Sequence, residues 1–310
     1  MQSSGDLLAD RRYAYAKSSF DEADWVAAAD LARQALELAP NFTAAWFLLG
    51  EACAEIAVGR NAGTARTEAV AAFATARRLD PEDVLGAGLR LALLGEADQH
   101  GAMSPAYVRS LFDEYAIRFD RHLRQGLRYR APELLHGAVR RACSLGLRPF
   151  RFESMLDLGC GTGLAAEVFR EECRSIAGID LSPAMVRKAE AKRVYDEVSV
   201  GDLVAWLSGR PPGEADLVVA ADVFVYMADL QPVFEAAARA LARDGLLAFT
   251  VQAHAGEGVV LGEDHRYAHG EGYLRSLAAA ASLDPVIVDA ASTRQDRGRD
   301  VPGLLMVLRR

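Results

Sequence analysis

The sequence predicts an α/β fold: a parallel sheet covered by helices in the C-terminal half, preceded by an all-α region. Three observations carry this. Residues Met155 to Leu164 (MLDLGCGTGL) read as a buried strand that enters a glycine turn and then a helix. Short apolar runs suited to strands recur at 175–180, 199–203, 215–223 and 246–252. From Leu7 to Leu94 the chain is instead rich in alanine and leucine at helical spacing.

Within residues 1–100, two similar phrases end in proline, ALELAP at Pro40 and ATARRLDP at Pro81, and each reads as a helix that proline stops. Before Pro81 stand Trp46, Leu49 and Gly50, then Ala69, Phe73 and Ala76. This pattern resembles the tetratricopeptide repeat. The first phrase offers Ala16, Ser19, Ala28, Ala32 and Ala35, with Ala16 where the repeat family has glycine. The prolines are 41 residues apart, against a usual period of about 34, and the segment VGRNAGTART is where the excess is expected to loop out. Two repeats are too few to stand alone, so the helix expected over Leu85 to Leu94, or the following domain, must cap them. The resemblance implies a concave face that holds a peptide or protein partner, or self-association. A helical bundle with superficial repeat character is the alternative.

Residues 101–150 form the expected bridge. Gly101 to Pro105 reads as a linker, with Ser104 an N-cap and Pro105 the first helical residue. The helix that follows carries Leu111, Tyr115, Ile117, Phe119 and Leu123 as an apolar stripe. Ten arginines (109, 118, 121, 124, 128, 130, 140, 141, 148 and 151) against four acids make this stretch basic. Either it is a solvated helical face, or it meets an acidic substrate or partner.

The strongest chemistry begins at residue 151. Gly159, Gly161 and Gly163 at alternate positions let the backbone turn tightly and bring N–H groups to a ligand. Dinucleotide folds use G-x-G-x-x-G, one residue longer, so a pyrophosphate is disfavoured. Asp157, two residues ahead, would repel phosphate and attract an ammonium group. The next strand ends at Asp180, 17 residues after Gly163, near the spacing at which an acid accepts ribose hydroxyls. These features describe a nucleoside with an amino-acid-like tail.

At these residues the chain resembles the class I S-adenosylmethionine (SAM) dependent methyltransferases, over roughly residues 151–310. That likeness implies a Rossmann-like sheet of seven strands whose last two, near Val286 to Asp289 and Leu304 to Leu308, form an antiparallel hairpin. It also implies a cofactor site made of Asp157, Gly159, Cys160, Gly161, Gly163, Asp180, Leu181, Met185, Asp202, Leu203 and Asp222, with Asp202 on the adenine amino group. Phe119-Asp120-Arg121-His122-Leu123 resembles the phrase with which related small-molecule enzymes fold over the cofactor, which brings in Tyr115 and Phe119. The whole arrangement is similar to predicted bacterial tetratricopeptide-containing methyltransferases, with SAM as donor and S-adenosylhomocysteine as product.

Methyl transfer from a sulfonium needs alignment more than catalytic groups, but a phenol, alcohol or ammonium acceptor also needs a base. Candidates lie between the fifth and sixth strands: His254, His265 and His269, with Tyr267 among them. The phrase RYAHGEGYL resembles one found there in related enzymes and favours Tyr267 and His269. Tyr226, four residues after Asp222, is where such enzymes present an aromatic ring. The acceptor is expected to be an O or N nucleophile of a small molecule or of a peptide.

A net charge of −8 and a pI near 5.4 argue against nucleic acid as partner. No apolar run suits a leader or a membrane span, and Cys53, Cys143, Cys160 and Cys173 are spaced for neither disulfides nor a metal site. A cytoplasmic protein without metal is expected. A non-catalytic scaffold that keeps the SAM fold is the alternative from another class, and a nicotinamide-dependent oxidoreductase would need the longer glycine spacing.

Overall fold

The computed structural model describes residues 3–58, 62–121, 123, 126, 128–296 and 298–310. His122, Arg124 and residues 59–61 of the expected loop lie outside these. The chain divides into two compact units between Tyr107 and Val108.

In the first unit, α1 (Leu7–Asp21), α2 (Trp25–Leu38), α3 (Thr43–Ala57), α4 (Ala62–Leu79) and α5 (Ala87–Leu93) each pack on the next. Asp6 caps α1 by accepting from the Leu8 and Ala9 amides, and Asp24 caps α2 through Ala27. Small side chains set the helix spacing. Ala16, Ala28, Ala32 and Ala35 are fully buried. A Cβ on Gly50 would stand 2.6 Å from the Phe73 ring, so α3 and α4 meet too closely there for any side chain. The expected excess loop is instead mostly helix, because α4 starts at Ala62. Asp83 accepts from the Ala87 and Gly88 amides, at 2.7 and 2.8 Å, where α5 begins.

The second unit is built on a sheet whose main path is β3-β2-β1-β4-β5-β11-β8. β1 (Phe152–Leu158), β2 (Cys173–Asp180), β3 (Glu197–Val200), β4 (Ala215–Ala220) and β5 (Leu241–His254) run parallel, and β11 (Gly303–Arg309) enters antiparallel between β5 and β8 (Asp284–Ala290). From Met155 onward the apolar side chains of β1 alternate between two cores. Leu156 and Leu158 join α11 (Leu203–Gly209), α12 (Gln231–Ala240) and α13 (Glu271–Ala280), while Met155 joins α8 (Ala131–Leu145) and α9 (Leu164–Phe169). α10 (Pro183–Lys192) links β2 to β3.

Two features depart from the expected seven strands. β5 begins five residues early: Ala215 pairs with Leu241 and Leu217 with Leu246, so Asp244-Gly245 forms a bulge within the strand, with Asp244 at φ 61°. The stretch after β5 adds β6 (Val259–Leu261) and β7 (Tyr267–Gly270). β7 pairs parallel with Gln252 to His254, beyond the point where β4 stops opposite Phe249. It thus extends the sheet past the carboxyl end of β4, the edge at which open α/β sheets bind ligands. The two-residue strands β9 (Gln295–Asp296) and β10 (Arg299–Asp300) form a separate ribbon. No described helix is long and apolar enough to cross a membrane.

Candidate active site

The turn after β1 is built from left-handed backbone. Gly159, Gly161 and Gly163 have φ of 59°, 53° and 90°, a region that costs other residues about 1–2 kcal/mol. Two of the three are also closed to a side chain. A Cβ on Gly159 would lie 2.3 Å from Val223 Cγ2, and one on Gly163 would lie 2.9 Å from the Tyr195 ring. At Gly161 the space is larger, with the Phe119 ring 3.7 Å from the Cβ position.

Asp180, at the end of β2, fixes the loop. Its carboxylate accepts from the Gly161 amide and the Ser182 amide, each at 2.8 Å. Burial pushes its pKa up, against the pull of these two donors. Each oxygen keeps a lone pair for a further donor such as a ribose hydroxyl.

Asp157 is placed differently from the sequence expectation. It is 1% exposed and enclosed, with Tyr195 donating its hydroxyl to it at 2.6 Å. Burial pushes its pKa up to about 7, with Tyr195 opposing and the Asp180 charge adding. The strand alternation explains this, since Asp157 follows Met155 onto the face covered by α8 and α9 rather than standing open beside the loop. Cys160 is also buried; desolvation holds its thiol well above the ordinary range, so it is no nucleophile.

The other expected cofactor residues sit around the same edge. Asp202 is exposed and caps α11 by accepting from the Ala205 amide, 2.8 Å away, while Leu203 is buried in the core behind it. Leu181 is half-buried and Met185 fully buried in the first turn of α10. Asp222, at φ 61°, is committed elsewhere: Arg294 Nη1 donates to both carboxylate oxygens, at 2.9 and 3.2 Å, and Thr293 to one of them. Arg294 also donates to Gln252, at 2.7 Å, and its side chain is 2% exposed. The ion pair therefore reserves a carboxylate that the resemblance assigned to the ligand.

The segment ahead of β1 does lie over the loop. α6 (Pro105–Tyr115) presents Asp113, which accepts from the Ser182 hydroxyl at 2.6 Å and the Ala184 amide at 3.1 Å. Next, α7 (Phe119–Arg121) places Phe119 against Gly161 and Asp120 against the Thr162 hydroxyl, with Lys192 3.0 Å from Asp120. Ring centres step from Phe119 to Tyr115 (5.2 Å), from Phe119 to Phe112 (6.1 Å) and from Phe112 to Tyr226 (5.2 Å). Tyr115, Phe119 and Tyr226 are thus linked in one row of rings through Phe112.

Of the expected bases, Tyr267 and His269 are enclosed, whereas His254 and His265 are partly exposed. His269 is fully buried; its Nε2 donates to the Met227 carbonyl at 3.0 Å, and burial pushes its pKa down to about 4. Tyr267 is 1% exposed. His254 spends Nε2 on the Gly258 carbonyl and Nδ1 on the Gly256 amide, both at 3.1 Å. His265 occupies a turn at φ 59°. The cause is β7: once 267–270 becomes a strand, its side chains pack against the sheet instead of projecting from a loop. No described cluster of His, Cys, Asp and Glu could hold a metal.

Tyr195, Asp113, Asp120, Thr162, Arg266 and Arg294 complete the site without having been singled out in the sequence. Asp120 and Arg266 lie inside phrases that the resemblance covers, whereas nothing local marks Tyr195 or Arg294.

Residues 156–249, from β1 to β5, match the family model described as a methyltransferase domain. The match contains the glycine loop, Asp180, Asp202 and Asp222. The chain is similar to trans-aconitate 2-methyltransferase of Paracidovorax citrulli (strain AAC00-1), 30% identical over 143 residues, covering 45% of this chain and 50% of that protein. It is also similar to human methyltransferase-like protein 27, 31% identical over 121 residues, covering 39% and 48%. The chain spans about half the length of these curated relatives. Among solved structures, magnesium protoporphyrin IX methyltransferase from Synechocystis PCC 6803 with bound SAM aligns with a TM-score of 0.49 at 17% identity, over 66% of this chain and 96% of that one.

Proposed function

We propose that the chain, with its methyltransferase domain at 156–249, is a SAM-dependent methyltransferase acting on a nucleophile of a small molecule or of a peptide. The observation that carries this reading is the glycine loop tied to Asp180 and roofed by Phe119. The residues fit the cofactor. Asp180 has acceptor capacity for ribose hydroxyls, Asp202 is exposed at the next strand end, and the aromatic row of Phe119, Phe112 and Tyr226 suits a cationic sulfur. When bound, SAM supplies an activated methyl group and a neutral leaving group. The chain's own contribution is to hold the donor, exclude water and align the acceptor.

The N-terminal helices are read as tetratricopeptide-like repeats that recruit a protein or peptide, or pair with a second copy. The close fit of Gly50 to Phe73 supports that reading. Residues 101–150 serve as bridge and cap, and the protein works in the cytoplasm. The test is incubation of the full chain with cell extract and SAM labelled in the methyl group, followed by size separation. Label should appear in product, in macromolecules if the helices choose the substrate and in metabolites if they do not. Folded protein that binds S-adenosylhomocysteine yet transfers no label would overturn the enzymatic reading.

A further inference from the structure

We propose that the methyl acceptor is a carboxylate and that Arg266 binds it; this rests on the methyltransferase reading above. Val223 fills the space beside Gly159, and three residues later Tyr226 ends the row of rings that starts at Phe119 on the glycine loop. Arg266 stands at the end of that row. Its guanidinium carbon is 6.0 Å from the centre of the Tyr226 ring, and its Nη2 is 3.5 Å from the Tyr226 hydroxyl.

The cation is half-buried, and no carboxylate of a described residue lies within 4 Å of it. Arg294 shows the contrast, since its charge is matched by Asp222 at 2.9 Å. The Asp222 and Asp264 charges act on Arg266 only from beyond hydrogen-bond reach, so its planar fork is left to fit a carboxylate through two parallel hydrogen bonds. The histidines agree. His254 has committed both ring nitrogens to backbone groups at 3.1 Å, and His269 its Nε2 at 3.0 Å, while the His269 Nδ1 is enclosed away from solvent. A carboxylate needs no base, because it is already ionised at neutral pH.

The step balances without a proton. One carboxylate oxygen forms a bond to the methyl carbon with its own lone pair, and the carbon–sulfur bond breaks with its electron pair passing to sulfur. The acceptor's negative charge and the sulfonium's positive charge cancel, which leaves a methyl ester and a neutral thioether. Arg266 holds the second carboxylate oxygen and aligns the first.

The experiment uses the full chain, SAM with a tritiated methyl group and extract of the cell that encodes it, with products separated by size and treated with mild alkali. The expected product releases its label as volatile methanol, because esters hydrolyse where methyl ethers and amines do not. In the same assay Arg266→Gln should raise the acceptor KM about 10- to 100-fold, Arg266→Lys less, and both should bind S-adenosylhomocysteine like the parent in calorimetry. Alkali-stable label, or an unchanged KM in Arg266→Gln, overturns the carboxylate assignment and leaves the methyltransferase reading intact, whereas no label despite bound S-adenosylhomocysteine overturns that reading itself. A parent protein that binds no S-adenosylhomocysteine overturns the underlying reading as well. Label in small or in large molecules tells a free acid from a peptide carboxylate.

Discussion

Replacing Gly159 by alanine isolates what the glycine loop requires of its neighbours. The residue has φ of 59°, and a Cβ there would lie 2.3 Å from Val223 Cγ2 and 2.8 Å from Val223 Cβ. The backbone conformation alone costs alanine about 1–2 kcal/mol, and forcing two carbons into filled space adds about 1–3 kcal/mol. Gly159→Ala should therefore lower stability by roughly 2–5 kcal/mol in urea melts. Val223→Ala removes the γ carbons but leaves the β carbon, so it relieves part of the steric cost and none of the backbone cost. In the double variant the two changes should couple favourably by about 1–2 kcal/mol, with the backbone cost remaining. Calorimetry with S-adenosylhomocysteine should show weakened binding in Gly159→Ala and partial recovery in the pair. A single variant within about 0.5 kcal/mol of the parent, or no coupling at all, would refute the claim that Val223 seats the loop.

Three further outcomes are expected. The Asp157 pKa is raised to about 7, so the folded state keeps that proton longer than the unfolded chain. The contribution is full below about pH 4 and is lost as pH rises towards 7, on the order of 2–4 kcal/mol. Asp157→Asn should thus melt at a higher temperature than the parent at pH 8, and this advantage should vanish at pH 4. Arg294→Met strands the Asp222 carboxylate in a buried position and should cost about 3–5 kcal/mol; adding Asp222→Asn should restore part of it in the same urea melt. In the N-terminal unit, Gly50→Ala pushes a methyl group towards a ring 2.6 Å away and should cost about 1–3 kcal/mol, read as increased amide exchange in α3 and α4.

The sequence already carried the positions of the main strands, because they are apolar runs that end at fixed signals. β1 enters Gly159, β2 ends at Asp180, and β11 and β8 pair antiparallel as the resemblance implied. It misjudged the segment after β5. Val259–Leu261 and Tyr267–Gly270 are three and four residues long, too short for periodicity to distinguish strand from loop. Their pairing depends on β5 outrunning β4, which is a tertiary fact. Within β7, Tyr267 and His269 are enclosed, whereas the sequence placed them in a loop. Asp157 and Asp222 were legible as acids at strand ends but not as enclosed or ion-paired ones, since their partners Tyr195 and Arg294 stand 38 and 72 residues away. The contacts of Phe119 and Asp120 with the glycine loop were legible because both residues fall within one phrase.

The central claim is that the crevice above Gly159 to Gly163 binds a nucleoside through Asp180. Calorimetry of the parent and of Asp180→Ala with S-adenosylhomocysteine tests it directly. The account predicts one-to-one binding by the parent and a loss of about 1.5–3 kcal/mol in the variant, the value of a charged acceptor. Equal affinity in the two proteins, or no heat from the folded parent, would contradict it.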